Sequence, residues 1–243
     1  MALKVPVLRL PANIAGWQKR LVAVPFAVIS LVLVVGGLPR MIASLVSAGG
    51  EPVIRKIQKQ EPVTIEELAD VISAQEHGLF WVSDAGMEAP LGLAHLLTAE
   101  KLPRDDPQVG IHLQAALQDL RASLGRAPAN PYPWTLLAYA EFLRSGAWTP
   151  EAVVALRMSL LTGPYEPRLL WSRLRLSLLA WDNLGESDQR LVEQQIRFAW
   201  DQDPKDLARL AVDLNRVNLV RAALEQVPDA PAAFEEALSQ VTS

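Results

Sequence analysis

Residues 21–39, LVAVPFAVISLVLVVGGLP, run for 19 positions without a charged side chain, and this stretch constrains the chain more tightly than any other. A helix of that length covers about 29 Å, close to the thickness of a bilayer's hydrocarbon core. Twelve of the 19 are Leu, Val, Ile or Phe. They favour insertion by roughly 4–7 kcal/mol before Pro25, Ser30, Gly36 and Gly37 subtract their share. Lys19, Arg20 and Arg40 mark the two ends, and Trp17 sits where an interfacial aromatic belongs. A buried globular helix would carry polar residues at 3.6-residue spacing, and this run carries none. A signal peptide would place a small-residue cleavage site soon after its apolar core. The nearest such site, Val46-Ser47-Ala48, comes late and beyond Arg40. The expectation is an uncleaved single-pass anchor with the lipid bilayer as its partner.

Orientation follows from the flanking charge. Arg9, Lys19 and Arg20 precede the run, and only Arg40 closely follows it, which favours a cytoplasmic N-terminus. A wider window that takes in Lys4, Arg55, Lys56 and Lys59 nearly levels this bias. The expected placement is the bacterial inner membrane, single-pass, with the main domain periplasmic.

Charge also divides the chain. Up to residue 60 there are eight basic residues against Glu51 alone, a balance of +7; the rest has 15 basic and 26 acidic residues, a balance of −11. An acidic body repels a phosphate backbone, so nucleic acid is an unsuitable partner. No cysteine is present, which excludes thiol catalysis, thiolate metal sites and disulfides. A body of this size can bury enough surface to fold without such staples.

Beyond the anchor, apolar residues recur at helical spacing between Pro, Gly and Asn breaks, with no period-2 run. The predicted class is all-α. Thr64 and Glu67 form a capping box at the start of one helix. Asp106-Pro107, Thr149-Pro150 and Ser187 mark further starts, and Gly125 marks a stop. The organisation reads as a short cytoplasmic tail over 1–20, the transmembrane helix over 21–39 and a juxtamembrane linker over 40–60. A helical-repeat domain follows over 61–228, with a short C-terminal helix or tail over 229–243. The repeat assignment rests on spacing: Pro131, Pro167 and Pro204 are 36 and 37 residues apart, and Trp134 and Trp171 are 37 apart. Helix pairs at such a period are the mark of an α-solenoid.

The stretch NPYPWTLLAYAEFL resembles the first helix of a tetratricopeptide repeat, with Trp134, Leu137 and Ala138 at the family's large, Leu and small positions. WDQDPKDLARLA is similar to the Asp-Pro junction between such repeats. Arg175 departs from the pattern where a second unit would have its small residue. The whole plan also resembles small anchored periplasmic proteins encoded among bacterial exopolysaccharide genes, on the stretch SLLTGPYEPRLLWSRLRLSLLAW. The resemblance implies a tetratricopeptide-like solenoid and a role near polysaccharide synthesis or export.

Chemistry is sparse. His77, His95 and His112 lie in three segments with no i, i+4 partner, so no metal site is expected. Adjacent acids such as Glu66–Glu67 project about 100° apart on a helix and do not converge on one substrate atom. There is no Gly-rich phosphate loop and no nucleophile elbow. No catalytic residue, cofactor or metal is therefore assigned, and the chain is not expected to be an enzyme. Trp134, Trp171, Trp181 and Trp200 fall on apolar stripes and read as core. Trp81 and Trp148 lie near breaks and suit a partner surface. Arg157, Arg168, Arg173 and Arg175 lie on neighbouring helices, as a solvated basic face or as a groove gripping carboxylates of a protein segment or an acidic glycan. The leading expectation is an anchored interaction or assembly factor of the bacterial envelope with protein partners there. A glycan-modifying helical enzyme and a structural subunit of a membrane complex are the alternatives.

Overall fold

The computed structural model describes residues 17–242. Most of the expected cytoplasmic tail, residues 1–16, lies outside the described residues, as do Lys4 and Arg9. Among the described residues every regular element is helical: α1 (Trp17–Ser47), α2 (Glu51–Gln58), α3 (Ile65–Trp81), α4 (Ala85–Lys101), α5 (Pro107–Arg126), α6 (Pro131–Ser145), α7 (Pro150–Thr162), α8 (Leu170–Ala180), α9 (Glu186–Gln202), α10 (Pro204–Asp213), α11 (Val217–Leu224) and α12 (Ala230–Thr242). The protein is all-α.

Local chemistry sets most of these boundaries. The Thr64 hydroxyl accepts the Glu67 N–H at 3.2 Å, and the Glu67 carboxylate accepts the Thr64 N–H at 3.0 Å, completing the capping box. Asp106, Asn130, Thr149 and Asp203 each cap a helix whose next residue is proline, a pairing that costs no needed N–H. Gly146 closes α6 with φ +69, a left-handed turn that glycine adopts at little cost. Two expected signals fall elsewhere. α9 starts behind Gly185, not Ser187, and α5 runs one residue past Gly125.

The chain has, among the described residues, one helix long and apolar enough to cross a membrane. α1 is exposed along Val24–Leu38 and then continues unbroken past Pro39 and Arg40 into the body, where Ala43 is buried. The stretch 40–60, expected as a linker, is helical over most of its length: the end of α1, a 3₁₀ turn at Ala48–Gly50, and α2. Its small residues make close packing feasible. A Cβ placed on Gly50 would stand 3.4 Å from the Val71 Cα, and one on Gly49 3.8 Å from the Ala74 Cβ. A Cβ on Gly78 would stand 3.3 Å from the Ala43 carbonyl and 3.2 Å from the Ser47 Cβ. Contacts that climb along α1 while descending along α3 mean that the two helices are antiparallel. α3 therefore leads back toward the apolar stretch.

α4 and α5 then form a tight hairpin, with Gly92 seated so closely that an added Cβ would lie 2.8 Å from the Leu120 Cγ. Val53, Ile54, Leu68, Val71 and Ala94 form a small core on the α1 side of the body. A larger one runs from Leu96 through α12, where Phe234 is fully buried and meets Trp200 edge to face. Trp134, Trp171, Trp181 and Trp200 pack against this core.

Candidate partner-binding site

The end of α4, the turn after it, the start of α5 and the second half of α6 enclose a cleft of about 570 Å³, within the range of natural ligand pockets. Val109, Leu113, Phe142 and Leu143 supply apolar wall, while Glu100, Arg104 and Tyr139 are its polar groups. The Tyr139 hydroxyl donates to the Glu100 carboxylate. Burial, and then that bond and the adjacent charge, raise the Tyr139 pKa. Phe142 stacks on Trp148 with ring centroids 4.8 Å apart. Trp148, expected at a partner surface, thus stands behind one wall of the cleft, half-buried against the core.

The other expected residues do not assemble into one groove. Trp81 is 46% exposed and meets Phe80, itself 84% exposed, edge to face at 5.8 Å. Arg157 donates from Nε and Nη2 to the two oxygens of Asp188, both at 2.6 Å, tying α7 to the first turn of α9. Arg168 is exposed. Arg175 approaches Asp213 at 3.9 Å on the surface. Arg173 is a correction: it is fully buried and cannot line a groove. Its Nη1 donates to the carbonyls of Ser159 (3.1 Å) and Gly163 (2.6 Å), and its Nη2 to the Pro164 carbonyl (3.3 Å) and Gln195 Oε1 (2.5 Å). The side chain is a tie between the end of α7, the turn after it and α9. Burial lowers its pKa to about 10, with Glu166 opposing.

The histidines give a different surprise. His77 is exposed and contacts the Ser73 carbonyl at 2.6 Å, but His95 of α4 and His112 of α5 meet Nδ1 to Nδ1 at 2.9 Å. The opposite nitrogen of His95 stands 3.8 Å from Asp119, whose buried Oδ2 has no hydrogen-bond partner. Burial, followed by the fields of Glu76 and Glu88, pushes the Asp119 pKa up to about 7. Burial, followed by His112, pushes His95 down to about 4. A neutral His95 at pH 7 requires one of the two rings to donate to the other. The two nitrogens of His95 point to different neighbours, so this row does not converge on one ion. Among the described residues no group of three or more His, Asp or Glu side chains could hold a metal.

Sequence reasoning placed these histidines in separate segments. The signal that joins them is the turn at 102–106: folding α4 back along α5 about that turn sets residue 95 opposite residues 112–113. No protein-family model matches the chain, and no curated protein and no solved structure is similar to it.

Proposed function

We propose that this chain is a membrane-anchored helical-repeat protein that binds partners, as an interaction or assembly factor of the bacterial envelope. In this reading residues 21–39 cross the inner membrane, the N-terminus is cytoplasmic and the acidic body is periplasmic. The observation that carries it is α1, which is exposed and apolar over Val24–Leu38 and then packs as part of the body without an intervening loop. A body held at the bilayer meets membrane-bound partners at raised effective concentration.

The repeat reading is supported by the order of the elements. α6 and α7, α8 and α9, and α10 and α11 follow as helix pairs at the 36-to-37-residue spacing of Pro131, Pro167 and Pro204. Stacked pairs of this tetratricopeptide-like kind work by presenting extended surfaces to other proteins. The cleft beside α6 suits an apolar side chain of a partner segment, set between Leu113 and Phe142 with Glu100 and Arg104 at its polar edge. Polysaccharide synthesis or export is the process in which we place it, on the resemblance of residues 159–181 alone.

Crosslinking and co-purification of the full chain in mild detergent test the proposal. Specific envelope proteins should be recovered with the native chain and lost with Val109→Glu, which places a charge at a half-buried position of the cleft wall. Recovery of no partner across several detergents, or an unchanged set with the variant, would count against it. A reporter fused at the C-terminus checks orientation: activity of a cytoplasmic reporter there would overturn the periplasmic placement.

A further inference from the structure

We infer that the corner between α3 and α4, led by Phe80 and Trp81, is a second membrane contact that dips into the lipid interface beside the anchor. The inference rests on the reading of α1 as a span. Three observations carry it.

The first is register. Gly50 lies against Val71, Gly49 against Ala74, and Ala43 and Ser47 against Gly78. Continuing the antiparallel match brings Phe80 and Trp81 level with residues 41–44 of α1. That is two to five residues past Pro39, or about 3–8 Å along the axis at ~1.5 Å per residue. The headgroup layer on each side of the hydrocarbon core is roughly 5–8 Å deep. Both aromatic rings therefore fall within the interfacial layer if residues 21–39 fill the core.

The second is exposure. Phe80 is the most exposed large apolar residue of the body at 84%, and Trp81 at its side is 46% exposed. On α1 at the same level, Met41 is 63% and Leu45 76% exposed. In water this arrangement leaves four large apolar side chains uncovered on two neighbouring helices. Aromatic side chains are favoured at the interface, where an apolar ring meets headgroups.

The third is charge. The corner LFWVSDAGM, residues 79–87, holds one charged residue, Asp84, and its carboxylate is engaged in capping α4 through the Gly86 N–H at 2.6 Å. The corner thus reaches the bilayer with little charge to desolvate.

The cysteine-free chain makes the test direct. The full-length protein carries a single environment-sensitive fluorophore at Phe80→Cys, Val32→Cys or Ile111→Cys, in phosphatidylethanolamine–phosphatidylglycerol vesicles. Val32 reports the span, and Ile111, exposed near the start of α5, reports water. The label at 80 should fall between the other two: blue-shifted and less accessible to aqueous iodide than that at 111, less shielded than that at 32, and quenched by lipid spin-labelled near the headgroup. Iodide quenching at 80 equal to that at 111, with 32 still shielded, overturns the corner contact and leaves the anchor standing. Shielding at 80 from both iodide and spin-labelled lipid also overturns it, since a protein would then cover the rings. Iodide access at 32 as well as 80 removes the anchor and the corner together.

Discussion

Two junctions in this molecule bury polar groups between helices, and they treat them in opposite ways. At the junction of α7, α8 and α9 the acceptors are matched by arginine. Arg173 serves three carbonyls and the Gln195 amide oxygen, and Arg157 forks onto the buried Asp188. The α4–α5 hairpin does likewise with Glu88, which Arg126 holds at 2.9 Å. Elsewhere in that hairpin, though, Asp119 has only a neutral imidazole 3.8 Å away and an oxygen with no partner. Arginine keeps the first kind of junction charged across the neutral range, even with Arg173 lowered to about 10, while a carboxyl and the His95 imidazole make the second one sensitive to pH there.

The comparison breaks first at Arg173. Arg173→Met keeps most of the volume but removes four donated hydrogen bonds, among them the one to the Gln195 amide oxygen. It should cost about 3 kcal/mol or more in urea or thermal unfolding. A loss near zero would mean that the buried arginine is not what fastens α7 to α9.

Asp119→Asn tests the other side, and its sign runs the opposite way. Asp119 ordinarily titrates near 3.8 and in the fold near 7, so folding favours its protonated form. That contribution is complete below pH 4 and is lost as pH rises toward 7. Asp119→Asn should therefore be more stable than the native chain at pH 8, by about 1–2 kcal/mol after allowance for solvent screening, and equal to it near pH 4. His95, lowered from 6.5 to about 4, contributes fully above pH 6.5, and its contribution is lost as pH falls toward 4. The two slopes oppose each other between pH 4 and 6.5. In Asp119→Asn the slope of His95 remains alone and stability rises with pH; in His95→Gln stability should fall with pH. Equal profiles for the two variants would show that Asp119 and His95 do not titrate as described. Glu76 and Glu88, which raise Asp119, and His112, which lowers His95, are the charges to hold constant.

Arg157→Ala sharpens the contrast at smaller scale. It leaves Asp188 buried without its fork, but Arg157 is 43% exposed and water can enter, so about 1 kcal/mol is expected. Arg168→Ala, on an exposed residue, should change stability by less than about 0.5 kcal/mol. Urea midpoints at constant m-value measure both.

The same pair of junctions marks where the sequence was readable. Helix starts were legible wherever a capping side chain stood before proline, and α1 was legible because an uncharged run of that length has few other uses. The capping box at Thr64 could be named to the atom. α9 starts behind Gly185 and not Ser187, which puts Asp188 at its third position, where it meets Arg157. Arg173 and Arg175 looked like one basic face, yet two positions apart on a helix is about 200°, so one of them had to point inward. Which one did depended on carbonyls freed at Gly163 and Pro164, contacts that only the folded turn creates. The meeting of His95 with His112 depended in the same way on the closeness of α4 to α5, which Gly92 permits.

Because α1 passes from its greasy half into the body with no loop between, the two halves share one axis and one phase. Adding a single residue between Pro39 and Ala43 would turn the body about 100° around that axis and lift it ~1.5 Å. Phe80 and Trp81 would then swing to another side of the rod. In the anchored arrangement proposed above, the heading of the whole domain over the bilayer is thus written in residue count, much as a thread sets where a screwed-in fitting comes to rest.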